Sequence, residues 1–333
     1  MAERVTVVIP TRNRCQLLRQ TLATVLAQDG VDVDVVIVDE GSTDETPEML
    51  QRMPQDRVTL LRHEQAEGVS VARNAGIAAA TGEWVAFVDD DDIWAPMKLR
   101  AQLAAIHDHP GAEWACVGAV RVNEQLELLG RERYEAVAAT AADSLLACNV
   151  IPGGASGVLA RTGLVRQVGS FDPALANLAD YDLWIRLSLA APLAVVDRPL
   201  VGYRVHSTGM AHNVARSERE LDYIEQKYVA ARRDRGITVH RESFLWYFGA
   251  LALRQGNRLQ AMRIHRDLAL QRHDRPVYAL SLALLGGLWP GIQGVRDGVQ
   301  AGRLPLSWRT EAENWIAPLR TSAARPAHVM PVG

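Results

Sequence analysis

The chain has 333 residues, of which 48% are hydrophobic and 23% charged, with a formal net charge of −3. That length supports a sizeable core in one large or two modest domains. The near-neutral balance gives no electrostatic footprint for nucleic acid or an anionic membrane, and Cys15, Cys116 and Cys148, without a CxxC pair, read as a reduced, cytosolic chain rather than a disulfide framework.

The opening "MAERVTVVIP" is a charged start running into a β-branched stretch, a strand over Arg4 to Pro10 rather than a secretory leader. "CQLLRQTLATVLAQ" follows with Leu17, Leu18, Thr21, Leu22, Val25 and Leu26 on one helical face. "VDVVIVDEGSTDETPEML" gives a strand ending at Asp39, a turn of small polar residues and a helix start. "RVTLLRH" is a third strand, "GVSVARNAGIAAATG" a helix bounded by glycine, and "EWVAFVDD" a fourth strand. This alternation predicts βαβ units and a doubly wound sheet.

From about residue 97 the pattern loosens. A helix over Met97 to His107 precedes a strand in "AEWACVGAV" and a polar stretch around Gly130. "GASGVLARTGLVRQVGSFDP" reads as loop, strand and short helix, "DYDLWIRLSLAA" as a helix, and "LAVVDRPLVGYRVH" as a returning strand. Beyond about residue 212 the chain is helical and Arg-rich, with an antiparallel helical pair turning at Gly256-Asn257. No stretch reaches the roughly 18 apolar residues of a membrane span. Val277 to Gly291 is the most apolar late segment, read as a buried helix or, beside its arginines, a surface-lying one.

The chemistry concentrates at "WVAFVDDDDIWAP", where an apolar strand ends in Asp89, Asp90, Asp91 and Asp92. In an open parallel sheet ligands collect beyond the carboxyl ends of the strands, and Asp39 and Asp89 both sit at such ends. Crowded carboxylates are hard ligands suited to Mg²⁺ or Mn²⁺, whose charge would offset their repulsion. The competing reading makes Asp92 a cap for a helix over Ile93 to Met97. "PGGASG" is too glycine-rich for a regular element and fits close backbone approach to a ligand or a plain turn.

Taken in order, "VTVVIPTRNR", "IVDEGSTDET", "EGVSVARNAG", "WVAFVDDDDIWAP", "VGSFDP", "DYDLWIRL" and "GYRVH" resemble the inverting glycosyltransferases of family 2. The resemblance covers about the first two thirds of the chain. It implies an α/β GT-A fold: a Rossmann-like, mostly parallel sheet flanked by helices, with a C-terminal helical extension. The implied divisions are a nucleotide-sugar-binding half at 1–100, an acceptor-binding half at 101–210, the helical extension at 211–318 and an aperiodic tail at 319–333.

The resemblance also implies roles. Pro10, Thr11, Arg12 and Gly41 would line the nucleoside pocket, and Asp39 would accept a hydrogen bond from the base. Arg73 would lie near the nucleotide. Asp89-Asp90-Asp91 would form the Asp-x-Asp motif, with Asp91 the direct ligand of Mn²⁺ or Mg²⁺, Asp89 on ribose or metal-bound water, and His206 a further ligand.

Asp180 would be the general base, with Asp182 as the alternative. Two positions depart from the usual pattern, Ala179 before Asp180 and Glu40 after Asp39. The expected reaction moves a sugar from a nucleotide sugar, UDP-linked, to an acceptor hydroxyl with inversion. The acceptor is left open among glycan, lipid-linked sugar, protein and natural product. Contact with the inner membrane face, or self-association, would run through the C-terminal helices. The competing functions are a sugar nucleotidyltransferase, disfavoured by the glycine-free "PTRNRCQLL", and a non-catalytic scaffold.

Overall fold

The computed structural model describes residues 3–53, 56–132, 140–205, 213–272 and 304–323. β1 (Arg4–Thr11), α1 (Cys15–Leu26), β2 (Asp32–Glu40), α2 (Thr46–Gln51), β3 (Val58–His63), α3 (Val69–Ala79) and β4 (Trp84–Phe87) form the expected alternation. β1 pairs with β2 and with β4, and β2 with β3, all in parallel. These strands are apolar on both faces because helices cover both, so β1 sends Val5, Val7 and Ile9 into one core and Val8 into the other.

β5 (Ile93–Trp94), α4 (Lys98–Asp108), β6 (Trp114–Val122), β7 (Leu128–Arg131), α5 (Ala141–Ala147), β8 (Val158–Arg161), α6 (Thr162–Gln167), α7 (Ala179–Ala190) and β9 (Leu193–Arg204) follow. The sheet order is β3-β2-β1-β4-β8-β6-β9-β5, with β7 paired to β6. The second half is mixed, since β6 and β9 run parallel while its other pairs do not. β8 runs antiparallel to β4 and β6, and β5 antiparallel to β9. The expected helix over Ile93 to Met97 is instead the short strand β5, because Ile93 and Trp94 pair with Gly202 and Val201. The polar stretch near Gly130 carries β7, which closes on β6.

α8 (Val214–Lys227), α9 (Val229–Arg235), α10 (Arg241–Arg254) and α11 (Arg258–Arg272) come next, and α10 and α11 are the pair expected to turn at Gly256-Asn257. Their apolar faces join the core beneath α7. Phe248, Ile264 and Leu268 lie in one cluster with Tyr181, Trp184 and Leu187, all within 1% exposure. Burying side chains of this size contributes about 1.5–3 kcal/mol each, so α7 is fixed from both sides.

A last helix, α12 (Leu306–Ala323), packs Ala312 and Ile316 against Ile93, Val120 and Val122. It carries regular structure to Ala323, past the point where the aperiodic tail was expected to begin. His206, the apolar segment Val277 to Gly291 and the residues after 323 lie outside the described residues. No helix among the described residues is long and apolar enough to cross a membrane.

Candidate active site

The strand register builds the first wall. Thr11 lies beside Asp39, and Asp39 beside Arg62, across the parallel ladders. Pro10 and Thr11 are buried at the end of β1, while Arg12 is exposed just beyond it. Asp39 is fully buried. One of its oxygens accepts the Ser42 N–H at 2.9 Å, and the other holds the Arg62 guanidinium. Asp39 therefore lies beneath Arg62, whose side chain is 42% exposed and is the polar group facing solvent. Gly41 turns the chain at φ +71°, a conformation that favours glycine. Glu40, the departure noted above, accepts the Gly68 N–H at 2.6 Å and pairs with His63. It thereby ties the entry of α3 to the end of β2.

The aspartates then separate into inward and outward pairs. Asp90 accepts the Thr11 hydroxyl at 2.7 Å and Arg14 at 3.1 Å. Burial, and next the neighbouring Asp91 charge, push its carboxyl up to about 7. Asp92 is fully buried, accepting the Ser156 hydroxyl at 2.6 Å and the Arg204 N–H at 2.9 Å. It caps no helix, since α4 begins after Met97 without a side-chain cap.

Asp89 and Asp91 keep 22% and 14% of their side chains exposed. Arg73 donates to Asp89 at 2.5 Å, and Arg14 pairs with Asp91. Among the described residues, no three His, Cys, Asp or Glu side chains converge as a coordination shell. The donor set still fits a divalent cation of the Mg²⁺ or Mn²⁺ kind. Such ions take one or two carboxylates and draw their remaining ligands from phosphate oxygens and water.

Arg73 joins the two halves of the site. It is 4% exposed on α3, lies over the Phe171 ring at 5.1 Å, and its Nε has no hydrogen-bond partner among the described residues. Its charge acts on Asp180 as well as Asp89. Burial pushes the Asp180 carboxyl up to about 6, with Arg73 pulling it down and Asp89 pushing it up. Asp180 sits in the first turn of α7 and accepts the Tyr181 N–H at 2.7 Å.

The glycine-rich stretch meets Asp180 directly. Gly154 adopts φ +52°, and a Cβ there would stand 3.3 Å from the Asp180 Oδ2. Asp182 is placed otherwise. It is fully buried and held by Arg186 at 2.7 Å, Lys227 at 2.8 Å and the Tyr228 hydroxyl at 2.8 Å.

Three contributors escaped the sequence reading. Arg14 lies in the same "TRNR" stretch as Arg12 but reaches the aspartates. Ser156 also donates to Asp92 from the glycine-rich turn and accepts the Asp89 N–H at 3.0 Å. Arg204 grips the Asp91 carbonyl at 2.7 Å and Gln20 at 2.8 Å. All three lie in stretches that the sequence singles out, Arg14 in "VTVVIPTRNR", Ser156 in "PGGASG" and Arg204 in "GYRVH", but their partners are distant in the chain.

The family model for Glycosyl transferase family 2 matches residues 6–151, which hold the ends of β1 and β2 and all four aspartates. The succinoglycan biosynthesis protein ExoO of Rhizobium meliloti is 40% identical over 111 residues, 33% of this chain and 32% of ExoO. WfgD of Escherichia coli, a UDP-Glc:alpha-D-GlcNAc-diphosphoundecaprenol beta-1,3-glucosyltransferase, is 31% identical over 100 residues, 30% of this chain and 40% of WfgD. The matched segments thus span between a third and two fifths of those relatives. Among solved structures, the mannosyltransferase PcManGT from Pyrobaculum calidifontis, in complex with GDP-Man and Mn²⁺, superposes with TM-score 0.53. It is 20% identical, covering 97% of this chain and 86% of that one. Fold and matched segment agree: residues 6–151 match the model of glycosyl transferase family 2, and the chain has a GT-A fold.

Proposed function

We propose that the protein transfers a sugar from a nucleotide-sugar donor, UDP-linked, to an acceptor hydroxyl in a single inverting displacement. The observation that carries this reading is the Arg73 bridge, which sets Asp180 within the electrostatic reach of Asp89. A leaving-group site and a proton acceptor then share one crevice, as displacement at an anomeric carbon requires. UDP-Glc in the printed name of WfgD supports the donor class, and GDP-Man with Mn²⁺ in PcManGT supports the nucleotide-sugar and metal requirement.

In this reading Pro10, Thr11, Arg12 and Gly41 frame the nucleoside, with Asp39 holding Arg62 at its edge. Asp89 and Asp91 would hold a divalent cation, which when bound offsets negative charge on the departing diphosphate. Arg14 and Arg73 keep those carboxylates oriented. Asp180 takes the acceptor hydroxyl proton as the new bond forms, and a carboxyl near 6 is ionised and basic at neutral pH. Asp182 is left a structural role, its oxygens being committed to Arg186, Lys227 and Tyr228.

The test is release of nucleoside diphosphate from a panel of UDP- and GDP-sugars with Mn²⁺ present. Asp91→Ala should cut turnover at least about 100-fold. Turnover of no nucleotide sugar, or an indifferent Asp91→Ala variant, would refute the reading.

A further inference from the structure

α7 begins without a cap of its own. Leu178 holds the N-cap position and Ala179 follows, and neither side chain carries an oxygen for the N–H groups that open a helix. The acceptor comes instead from α8, 42 positions on from Leu178. Glu220 takes the N–H groups of Ala176 at 3.0 Å, Asn177 at 2.8 Å and Leu178 at 2.9 Å.

α8 is built to present that carboxylate. Asn213 caps the helix by accepting the Arg216 N–H at 2.9 Å. Ser217, Glu220, Leu221 and Ile224 then recur at the spacing of one face, all buried. A carboxylate among apolar neighbours is costly unless its oxygens are used. Glu220 is 4% exposed, and Arg216 adds a further donor at 2.7 Å.

The same helix grips the rest of the approach to α7. Asn177 Nδ2 donates to Ser217 Oγ at 2.8 Å, while Lys227 and Tyr223 donate to Asp172 at 2.7 Å and 3.0 Å. From the other side, α3 holds it. Ser70 donates to the Leu175 carbonyl at 2.5 Å, and Asn74 makes both bonds to the Phe171 backbone at 2.8 Å. Residues 171–178 are therefore tied at once to α3, which carries Arg73, and to α8, and Asp180 stands two residues past their end.

One Asp180 oxygen accepts the Tyr181 N–H, and the other faces Gly154. Removing Glu220 would leave three N–H groups open just ahead of Asp180, and an anion at a helix start is drawn to such groups. We propose that Glu220 is a positioning residue, which satisfies the backbone ahead of α7 and so keeps the Asp180 carboxylate toward the crevice. This assignment rests on the transferase reading above. It gives α8, beyond the residues that the family model matches, a part in the reaction.

The experiment uses the full chain, Mn²⁺ and the nucleotide sugar that the wild type turns over. Calorimetric titration with UDP and Mn²⁺ counts the binding-competent sites, and kcat is expressed per site. Glu220→Ala should lower that kcat about 100-fold, the scale of a reacting group displaced by about an ångström. The donor KM and the UDP Kd should stay within about twofold, since neither reports the base. Glu220→Gln keeps one oxygen for the N–H groups and should recover about tenfold of the loss. Ile224→Val trims a buried side chain on the same face, and should lower Tm while leaving kcat per site unchanged.

An unchanged kcat per site in Glu220→Ala and Glu220→Gln overturns the proposal and leaves the transferase reading standing. If Glu220→Ala does not fold, Glu220→Gln decides alone. An equal loss from Ile224→Val, or donor binding lost along with kcat in Glu220→Gln, would assign Glu220 to stability only and overturn it too. A wild type that turns over no nucleotide sugar removes both readings.

Discussion

At the scale of single residues, the site is a contest between burial and charge. Asp180 lies deep enough that desolvation wins over the pull of Arg73, and its carboxyl rises to about 6. The unfolded chain loses that proton near 3.9, so between about 4 and 6 the folded state binds more protons. Stability from this group accordingly falls as pH rises through that window. Asp180→Asn should cut transfer about 100-fold or more. The same change should raise stability on the order of 1 kcal/mol above pH 6, after allowance for solvent screening, and leave it unchanged below pH 4. Parallel Tm and rate profiles against pH check this, and a variant that loses activity and stability together would contradict it. The wild-type rate should itself fall as pH drops below about 6, when the base is protonated before it can act.

At the scale of elements, small residues decide how helices meet the sheet. α12 presses Trp308 and Trp315 onto β6 and β9 where Gly118 and Gly202 leave room. A Cβ on Gly118 would stand 2.3 Å from the Trp308 ring and 2.8 Å from the Arg198 carbonyl oxygen. Gly118→Ala should therefore cost about 1–3 kcal/mol through overpacking. In a Trp308→Ala background the cost should shrink, because the two positions share one contact. Denaturant titration of the four variants measures the coupling, and strict additivity would mean that α12 does not press there. Gly154 follows a different logic, since its positive φ and its closeness to Asp180 both exclude a side chain from the turn that flanks that carboxylate.

At the scale of the whole molecule, donor binding should show as stabilisation that needs metal. The proposed nucleoside wall belongs to β1 and β2, whereas Asp89 and Asp91 follow β4. A nucleoside diphosphate bridged to a cation would clamp these segments together. UDP with Mn²⁺ at 100 times Kd should add about 2.7 kcal/mol to the folded state, and chelation should remove most of it. Thermal melts with UDP, Mn²⁺, both, and both plus EDTA test this, and an equal shift from UDP in EDTA would count against a bridging metal.

The order of strands and helices through β4, the strand ends carrying Asp39 and Asp89, and the helix beginning near Asp180 were legible in the sequence. Hydrophobic period, glycine and polar turns are local signals, set by residues a few places apart. Tertiary structure decided the rest. Arg14 meets Asp91 across 77 positions, and Arg204 reaches the Asp91 carbonyl across 113. β5 exists only because β9 returns beside it. Asp180 and Asp182 look alike as two acids in one helical turn. Only the packing of α7 against the glycine turn on one side and Lys227 and Tyr228 on the other leaves one facing the glycine turn and the other held by its ion pairs and hydrogen bonds. Burial and partner choice are properties of which surfaces meet, and no local pattern in the chain encodes them.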